Sequence, residues 1–249
     1  MIVVKTAREI QRMQEACTLS ARALKLAGEM VEPGVSTYEI DRAVKKFIEG
    51  EGGKPSTLGY GGYPASTCIS VNSVVVHGIP SRKTILKQGD IVSIDICAFK
   101  DGYHGDNAYT YPCGEISAEA QRLLDATKES LYEGIKAAQA GNRVGDISSA
   151  VQRYVEARSY GVVRDFTGHG VGANLHEEPS VPNFGTPGRG PRLLPGMTIA
   201  IEPMITMGGY RTKTLSDGWT AVTVDGSLAA HFEHTVCITP DGPLIMTLL

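Results

Sequence analysis

The chain has 249 residues, of which 42% are hydrophobic and 20% are charged, and its formal net charge at pH 7 is −3. These values are ordinary for a globular protein with a sizeable core, and no lysine- or arginine-rich run marks a nucleic-acid or membrane surface. The sequence shows neither a signal-peptide layout nor an apolar stretch of spanning length. We therefore expect one cytoplasmic domain over residues 1–249 that binds neither nucleic acid nor membrane.

The cysteine pattern supports the same compartment. The chain contains five cysteines, an odd number, and they are Cys17, Cys68, Cys97, Cys113 and Cys237. They are widely spaced, none forms a C-x-x-C pair, and most lie in apolar, strand-like runs. This pattern predicts buried, reduced thiols rather than a disulfide framework.

Helix-start signals predict four helices. Thr6–Glu9 forms a capping box and is followed by apolar residues at helical spacing, and Ser36–Glu39 caps a second helix in the same way. Ser117 begins a third helix that continues to about residue 140, and a fourth is predicted over 146–158.

Strands and loops alternate with these helices. Strands are predicted at 66–77, 91–98, 105–112, 162–168, 197–206, 219–224 and 231–238. Two stretches rich in proline and glycine, 52–64 and 179–196, are predicted to be long loops of the kind that often form substrate walls. The pattern indicates an α+β fold with helices packed on one side of a curved, mostly antiparallel sheet.

The two halves of the chain resemble each other at a constant offset of 107 residues. Residues 34–49 align with 141–156, and 86–95 align with 193–202. Each match is weak alone, but their common offset suggests two related halves, and it superposes Asp95 on Glu202. If the halves are related, the functional site is expected at the seam between them.

Several ionisable side chains interrupt runs that should be buried. Asp95 lies within Ile91–Ala98 and Glu202 within Met197–Pro203, both otherwise apolar. A buried carboxylate must be paired or bind a metal, because the desolvation penalty is otherwise large. The candidate cluster consists of Asp95, Asp106, His169, Glu202 and Glu233. Oxygen-rich donors with one imidazole favour a dinuclear site over one structural zinc.

The spacing of some candidates leaves alternatives open. A hairpin turning at Lys100–Asp101 would place Asp95 directly opposite Asp106. Period-2 alternation puts His231, Glu233 and Thr235 on one strand face and His234 on the other, so either histidine is a further but weaker candidate. His169 and His176 lie seven residues apart, and spacing does not decide which of them binds metal.

These residues occur in segments that resemble type I methionine aminopeptidases of the pita-bread fold from end to end. The matching segments are Tyr60–Pro64, Cys68–Asn72, Val76–Pro80, Gly89–Asp95, Gly105–Asp106, Gly168–Gly172, His176–Pro179, Gly196–Met197, Ile201–Pro203, Asp217–Trp219 and Phe232–Thr235. The resemblance implies two pseudo-symmetric α/β halves around a curved antiparallel sheet. It also implies that the enzyme removes the initiator methionine of nascent chains when the second residue is small.

The resemblance also implies a ligand set. Asp95 would bind one divalent ion, Asp106 and Glu233 would bridge two, and His169 and Glu202 would complete the second, with Co, Mn, Fe or Zn as candidates. Water activated by these ions would attack the peptide carbonyl, and the free amine of the substrate would bind beside Asp95.

Three histidine and carboxylate roles follow from the same resemblance. His176 would hydrogen-bond the carbonyl oxygen, and His77 would contact the scissile amide nitrogen without binding metal. Glu202 is the candidate that accepts the proton of the attacking water.

The family also implies a methionine pocket, whose lining residues would be Tyr60, Tyr63, Cys68, Leu175 and Trp219. Some relatives have histidine at the position of Gly61 and an aromatic residue at that of Leu175, so the pocket is expected to be more open. Na⁺ or K⁺ is expected near Asn72 and Val74, although Ala229 replaces a serine there. A monomer that meets the ribosome transiently is the family expectation.

Three other functions compete with this interpretation. Aminopeptidase P and prolidase share the fold and ligands but usually carry an extra N-terminal domain, for which the helix beginning at Thr6 leaves no room. A metal-free pita-bread binding protein would lose ligands, whereas all five candidates, His77 and His176 are present. A metal-dependent hydrolase of non-peptide substrates is the third.

Overall fold

The computed structural model describes residues 1–248, and over that range the chain forms four α-helices and fifteen β-strands. The helices are α1 (Ala7–Glu29), α2 (Thr37–Gly50), α3 (Ala118–Ala137) and α4 (Val144–Glu156), with a 3₁₀ turn at Tyr60–Gly62. The strands are β1 (Lys54–Pro55), β2 (Cys68–Val71), β3 (Val74–Val76), β4 (Ile91–Lys100), β5 (Tyr103–Pro112), β6 (Gly161–Val162), β7 (Gly168–Gly170), β8 (Glu177–Val181), β9 (Thr198–Ile201), β10 (Met204–Thr206), β11 (Thr212–Thr214), β12 (Ala221–Thr223), β13 (Ala229–His231), β14 (Glu233–Thr239) and β15 (Gly242–Ile245). None of the described helices has both the length and the apolar character needed to cross a bilayer.

The predicted helix starts agree with the structure in three of four cases. Thr6 and Ser36 each form a complete capping box with the glutamate three residues later, and the Ser117 side chain accepts the N–H of Ala120. These bonds satisfy backbone N–H groups that the first helical turn leaves free. The fourth helix begins at Val144, two residues earlier than predicted, because the Asp146 carboxylate accepts the Arg143 N–H at 2.7 Å.

One nine-stranded sheet carries the fold. Its main path is β1-β4-β5-β14-β9-β7-β8, with β2 beside β4 and β15 beside β14, and every described pairing is antiparallel. Two three-stranded sheets, β13-β10-β6 and β11-β12-β3, complete it. The α+β, antiparallel prediction is confirmed.

Several predicted strands are interrupted in the structure. The predicted strand 66–77 is a hairpin of β2 and β3, and 162–168 contains only the last residue of β6 and the first residue of β7. Strand 197–206 breaks into β9 and β10 at Glu202–Pro203, because proline has no N–H for the ladder. The predicted loop 179–196 begins with the last residues of β8.

The register of the β4–β5 hairpin differs from the prediction. The turn residues are Asp101 and Gly102, with φ of 52° and 89°, which suits a two-residue hairpin loop. Cys97 therefore lies opposite Asp106, and Asp95 lies opposite Ala108. The shift moves the facing residue by two positions, so Asp95 and Asp106 remain on the same face as diagonal neighbours.

The two halves of the chain are structurally equivalent around the central strands. Helices α2 and α4 begin 107 residues apart, at Thr37 and Val144, and strands β4 and β9 begin at the same offset. Local hydrogen bonds repeat as well, since the N–H of Gly34 binds the Leu86 carbonyl and that of Gly141 binds the Leu193 carbonyl, at 2.8 and 2.9 Å. The predicted internal repeat is confirmed, and its seam lies between β5 and β14.

Strand β5 separates the helical layer from the site. A Cβ on Gly105 would lie 2.5 Å from the backbone of Cys17 in α1, and the Asn107 side chain accepts the Ser20 hydroxyl of the same helix at 2.7 Å. Because side chains alternate along a strand, Asp106 and Ala108 face the opposite side. The close contact with α1 thereby directs Asp106 away from the helices.

We predict that Gly105→Ala lowers the free energy of unfolding by about 1–3 kcal/mol or more, because the added methyl group overlaps helix backbone that cannot move alone. Gly50→Ala is the matched control, since nothing lies within 4 Å of its Cβ position. Chemical denaturation of both variants measures the difference. Equal midpoints would contradict the close packing of α1 on β5.

Candidate active site

A cavity of about 300 Å³ is lined by every residue predicted for the divalent-metal ligands, the two catalytic histidines and the methionine pocket. The predicted residues that line it are Tyr60, Tyr63, Cys68, His77, Asp95, Asp106, His169, Leu175, His176, Glu202, Trp219 and Glu233. They come from both halves of the chain and from positions as far apart as residues 60 and 233. The cavity is therefore formed at the seam that the internal repeat predicts.

Strand register aligns part of the cluster in one row. Asp95 on β4 and Glu233 on β14 both lie opposite Ala108 of β5, on its two sides, and Cys68 of β2 lies opposite Asp95. Directly opposite residues project from the same face of a sheet. The small side chain of Ala108 leaves open the space between the two carboxylates.

Asp106 belongs to two groups of potential metal ligands. One ligand atom each from Asp95, Cys97 and Asp106 lies within 4.8 Å of the others, and the same holds for Asp106, His169 and Glu233. Asp106 is 3% exposed, and its backbone N–H donates to Thr235 across the seam at 3.1 Å. This position suits a carboxylate shared by two cations.

The orientation of His169 is fixed by its backbone surroundings. Its Nδ1 donates to the Gly170 carbonyl at 2.8 Å, so Nε2 is the nitrogen that faces Asp106 and Glu202, each at 3.6 Å. Such a bond commonly sets the tautomer of a metal-binding histidine. Gly168 and Gly170 permit close backbone contact here, since a Cβ on either would lie within 2.4 Å of a carbonyl oxygen. Neither glycine has a positive φ.

Glu202 follows the end of β9 and completes the second half of the cluster. The Asn183 side chain donates to its backbone carbonyl at 2.9 Å. Its two carboxylate oxygens lie 3.6 Å from His169 Nε2 and 3.6 Å from His231 Nε2. Glu202 and Asp95 thus occupy equivalent places in the two halves.

Burial and mutual repulsion disturb the protonation of the whole cluster. Burial, followed by neighbouring negative charge, raises the pKa of Asp95 and Glu233 well above their usual range, and burial is likewise the first cause of the raised pKa of Asp106 and Glu202. Burial also lowers the pKa of His169 to about 3, so its ring is neutral. Four crowded carboxylates with a neutral imidazole need a cation to be ionised together.

The donors present fit such cations. Glu233 Oε1 and His231 Nε2 are buried side-chain atoms without a hydrogen-bond partner. A buried acceptor of this kind is costly unless something binds it. Carboxylate and imidazole donors suit divalent transition metals.

Two further histidines line the cavity without belonging to either ligand group. His77 follows β3 with φ of 59°, and its ring packs edge-on against Phe166 at a centroid distance of 5.3 Å. Burial lowers its pKa to about 4, with the nearby His231 and His176 adding to the effect. His176 Nδ1 bonds to the Tyr60 hydroxyl at 2.6 Å, and burial lowers its pKa as well. Both rings are therefore neutral near pH 7.

One end of the cavity is apolar. Tyr63 and Trp219 meet edge to face with centroids 5.1 Å apart, and Cys68 and Leu175 are buried beside them. Tyr63 is held by its hydroxyl, which lies 2.9 Å from the Gly78 carbonyl and 3.0 Å from that of Thr67. A Cβ on Gly61 would lie 3.3 Å from the Trp219 ring, so the absence of a side chain there leaves space above the indole.

Several lining residues have only a weak signal in the sequence. The sequence predicts Cys97 as a buried thiol, yet it lies two residues after Asp95 on the same strand face. His231 is a weaker candidate by spacing, yet it lies two residues before Glu233 and faces Glu202. For both, the signal is period-2 spacing from a predicted ligand. Phe166 carried no such signal.

The predicted monovalent-cation site is a turn between β2 and β3. Asn72 has φ of 56°, its amide donates to Asp90 at 2.8 Å, and its amide oxygen accepts the Ile91 N–H at 3.0 Å. Its backbone carbonyl accepts the Ala229 N–H at 2.9 Å. The amide oxygen of Asn72 is thus already hydrogen-bonded, so a cation at this turn would have to bind backbone carbonyl oxygens.

Comparison with known proteins identifies the family of the chain. The model of metallopeptidase family M24 matches residues 11–240. The methionine aminopeptidase of Clostridium perfringens is 52% identical over 249 residues, covering 100% of both chains. The structure of methionine aminopeptidase from Thermotoga maritima superposes with a TM-score of 0.98 at 45% identity, again covering 100% of both chains.

A prolidase from Pyrococcus horikoshii shares the fold, with a TM-score of 0.81 at 24% identity, but this chain covers 64% of its length. At that identity the likeness concerns the fold alone. The methionine aminopeptidase and the prolidase structures both confirm the pita-bread prediction. The assignment to methionine aminopeptidases rests on the relatives that match over their full length. The chain therefore belongs to the methionine aminopeptidases of metallopeptidase family M24.

Proposed function

We propose that this chain removes the initiator methionine from nascent polypeptides in the cytoplasm, acting as a monomer with one catalytic unit over its whole length. The observation that carries the proposal is the meeting of four carboxylates, one oriented imidazole and two neutral histidines at one end of a cavity that is apolar at the other. A substrate can then place its amino terminus among the charged groups and its first side chain among the apolar ones.

Five side chains would hold two divalent ions. Asp95 would serve one ion, His169 and Glu202 the other, and Asp106 and Glu233 both, which agrees with the membership of Asp106 in two ligand groups. When bound, two such ions lower the pKa of a water molecule and orient it toward a peptide carbonyl. Co, Mn, Fe and Zn all accept these donors.

Glu202 is suited to accept the proton of the attacking water on a carboxylate oxygen. Its carboxylate lines the same cavity as the other proposed ligands, so it lies beside the space that the ions and their water would occupy. Its oxygens face His169 and His231, so the protonated form stays within reach of two imidazoles.

His176 and His77 would act on the two ends of the scissile amide. With the Tyr60 hydroxyl donating to Nδ1, the His176 ring keeps its hydrogen on Nε2 and donates it to the carbonyl oxygen as charge develops. His77, neutral and held between Phe166 and Trp219, would contact the amide nitrogen and orient it, and it would relay to the leaving amine the proton that Glu202 accepts from the water.

The apolar end would bind the methionine side chain. Tyr63, Cys68, Leu175 and Trp219 offer aromatic and sulfur surfaces to an unbranched, polarizable thioether, and Tyr60 lies at the more exposed rim. The open space at Gly61 agrees with a pocket somewhat wider than one with a histidine there. A Na⁺ or K⁺ ion near Asn72 and Val74 and a transient ribosome contact remain predictions.

The substrate range tests the proposal directly. We expect release of methionine from Met-Gly-Met to exceed that from Met-Lys-Met by at least about tenfold, because the enclosed metal end leaves little room for a long second side chain. N-acetyl-Met-Gly-Met should be inert, since it lacks the free amine, and so should Ala-Pro peptides. Equal rates for glycine and lysine, or preferential cleavage of Ala-Pro, would overturn the assignment.

A further inference from the structure

Cys97 occupies a different environment from the other cysteines of residues 1–248. Cys17, Cys68, Cys113 and Cys237 belong to apolar core clusters, whereas Cys97 belongs to none of the described clusters and lines the active-site cavity. It is 4% exposed and lies between Asp95, two residues earlier on β4, and Asp106, directly opposite on β5. A thiol packed only for its apolar character would not be expected there.

The distances around Cys97 are those of a ligand cluster. Its Sγ lies 2.8 Å from Asp106 Oδ1, to which the thiol donates, and 3.7 Å from Asp95 Oδ1. Ligands that share one ion at roughly 2.0–2.3 Å each lie roughly 3–4 Å apart. The separation from Asp95 lies in this range, and the shorter separation from Asp106 is that of the thiol hydrogen bond, whose proton a shared ion would replace.

A second observation points to a missing cation at the same place. Glu233 Oε1 is buried, faces the cavity and has no hydrogen-bond partner. Asp95 and Glu233 lie on the two sides of Ala108, so this unpaired oxygen and the Asp95–Cys97–Asp106 group border one space. A buried carboxylate is ionised at low cost only with a positively charged partner, and a bound cation would supply one here.

We propose that Cys97 Sγ is an additional ligand of the ion held by Asp95 and Asp106, which makes this position a mixed carboxylate and thiolate site. The inference rests on the metal centre proposed above and adds a soft donor to it. When the sulfur–metal bond forms, the thiol releases its proton to solvent and no electron is transferred. A soft donor shifts selectivity toward Zn²⁺, Co²⁺ and Fe²⁺ and away from Mn²⁺.

Cobalt spectroscopy tests the proposal without relying on turnover. Metal-stripped protein is titrated anaerobically with Co²⁺ in buffer free of thiols, and the near-ultraviolet sulfur-to-cobalt charge-transfer band is recorded. We expect the band in the natural chain, its loss in Cys97→Ser with cobalt still bound, and its persistence in Cys68→Ser, which removes the other cavity thiol. X-ray absorption of the zinc-loaded natural chain should show sulfur at about 2.3 Å.

The metal preference gives an independent readout. Cys97→Ser should lower Zn²⁺ affinity relative to Mn²⁺ affinity by at least about tenfold, the lower end of what even outer-sphere partners contribute. If Cys97→Ser does not fold, the spectra of the natural chain and of Cys68→Ser still decide, because the other three cysteines lie in core clusters away from the cavity.

The outcomes separate this inference from the proposed function. Cobalt bound without a charge-transfer band, or a band lost in Cys68→Ser and kept in Cys97→Ser, would overturn the role of Cys97 and leave the carboxylate metal centre intact. Failure to bind cobalt at all would overturn both.

Discussion

Replacing Asp106 by asparagine is expected to lower metal content and turnover together. Metal affinity should fall by at least about 100-fold, which is the upper end of what residues outside the ligand set contribute. Asp106 is the residue common to both ligand groups, and it is 3% exposed. The amide keeps the shape of the side chain but removes the negative charge and one acceptor oxygen. Because both ions would share this carboxylate, neither position can retain its full charge compensation.

The Asp106→Asn experiment needs a measure of metal as well as of rate. Metal content after dialysis, methionine release and thermal unfolding are compared with those of Asp125→Asn, an exposed position on α3 that bonds only to Gln121. The control should match the natural chain in all three measurements. Near-normal release by Asp106→Asn with full metal content would remove Asp106 from the centre.

Replacing His77 by alanine is expected to leave metal content unchanged and to lower the rate by about 10²–10⁴-fold, the usual contribution of a positioned acid–base group. His77 lines the cavity but belongs to neither ligand group. Its backbone holds a positive φ of 59°, a conformation that side-chain-bearing residues adopt mainly where the surroundings enforce it. Its ring lies against Phe166 and Trp219, which fix its direction.

His104→Ala provides the matched control for His77→Ala. The pKa of His104 is also lowered by burial to about 4, but its ring bonds to Ser56 and does not line the cavity. The His104→Ala variant should therefore release methionine at the rate of the natural chain. Loss of metal from His77→Ala would show that His77 is a ligand, and an unchanged rate would remove it from the reaction.

The prediction of secondary structure succeeded where local chemistry decides and failed where tertiary contacts decide. Caps at Thr6, Ser36 and Ser117 are local side-chain to backbone bonds, and the sequence predicts each of them. Pro203 signals the break between β9 and β10, but the apolar residues on both sides of it predict one continuous strand. The short strands β11 and β15 exist through pairing partners that no local pattern reveals.

The hairpin register shows how an error of one turn position can leave a site prediction intact. The turn is Asp101–Gly102 instead of Lys100–Asp101, and so Cys97, not Asp95, lies opposite Asp106. Moving a turn by one residue changes each pairing by two, which preserves the face. The two aspartates therefore still converge, and Cys97 is the residue that lies directly opposite Asp106.

The charged carboxylates could be predicted from the sequence, whereas the uncharged residues beside them, Cys97 and His231, have only a weak signal there. An aspartate or glutamate in an apolar strand is costly to bury, so the apolar residues around Asp95 and Glu202 are enough to mark both as candidates. Cys97 and His231 are residue types that often pack in cores, and neither demands a partner by itself. The structure places both beside carboxylates, Cys97 through the register of β4 on β5 and His231 at 3.6 Å from Glu202.

The central claim is that a divalent-metal centre built by these side chains releases amino-terminal methionine. The most direct test strips the protein of metal and measures hydrolysis of Met-Gly-Met before and after Mn²⁺ or Co²⁺ is added back. We predict no release from the stripped protein and release of free methionine once either ion is restored. Release that is unchanged by stripping, or none after metal has bound while Ala-Pro peptides also stay intact, would contradict the account.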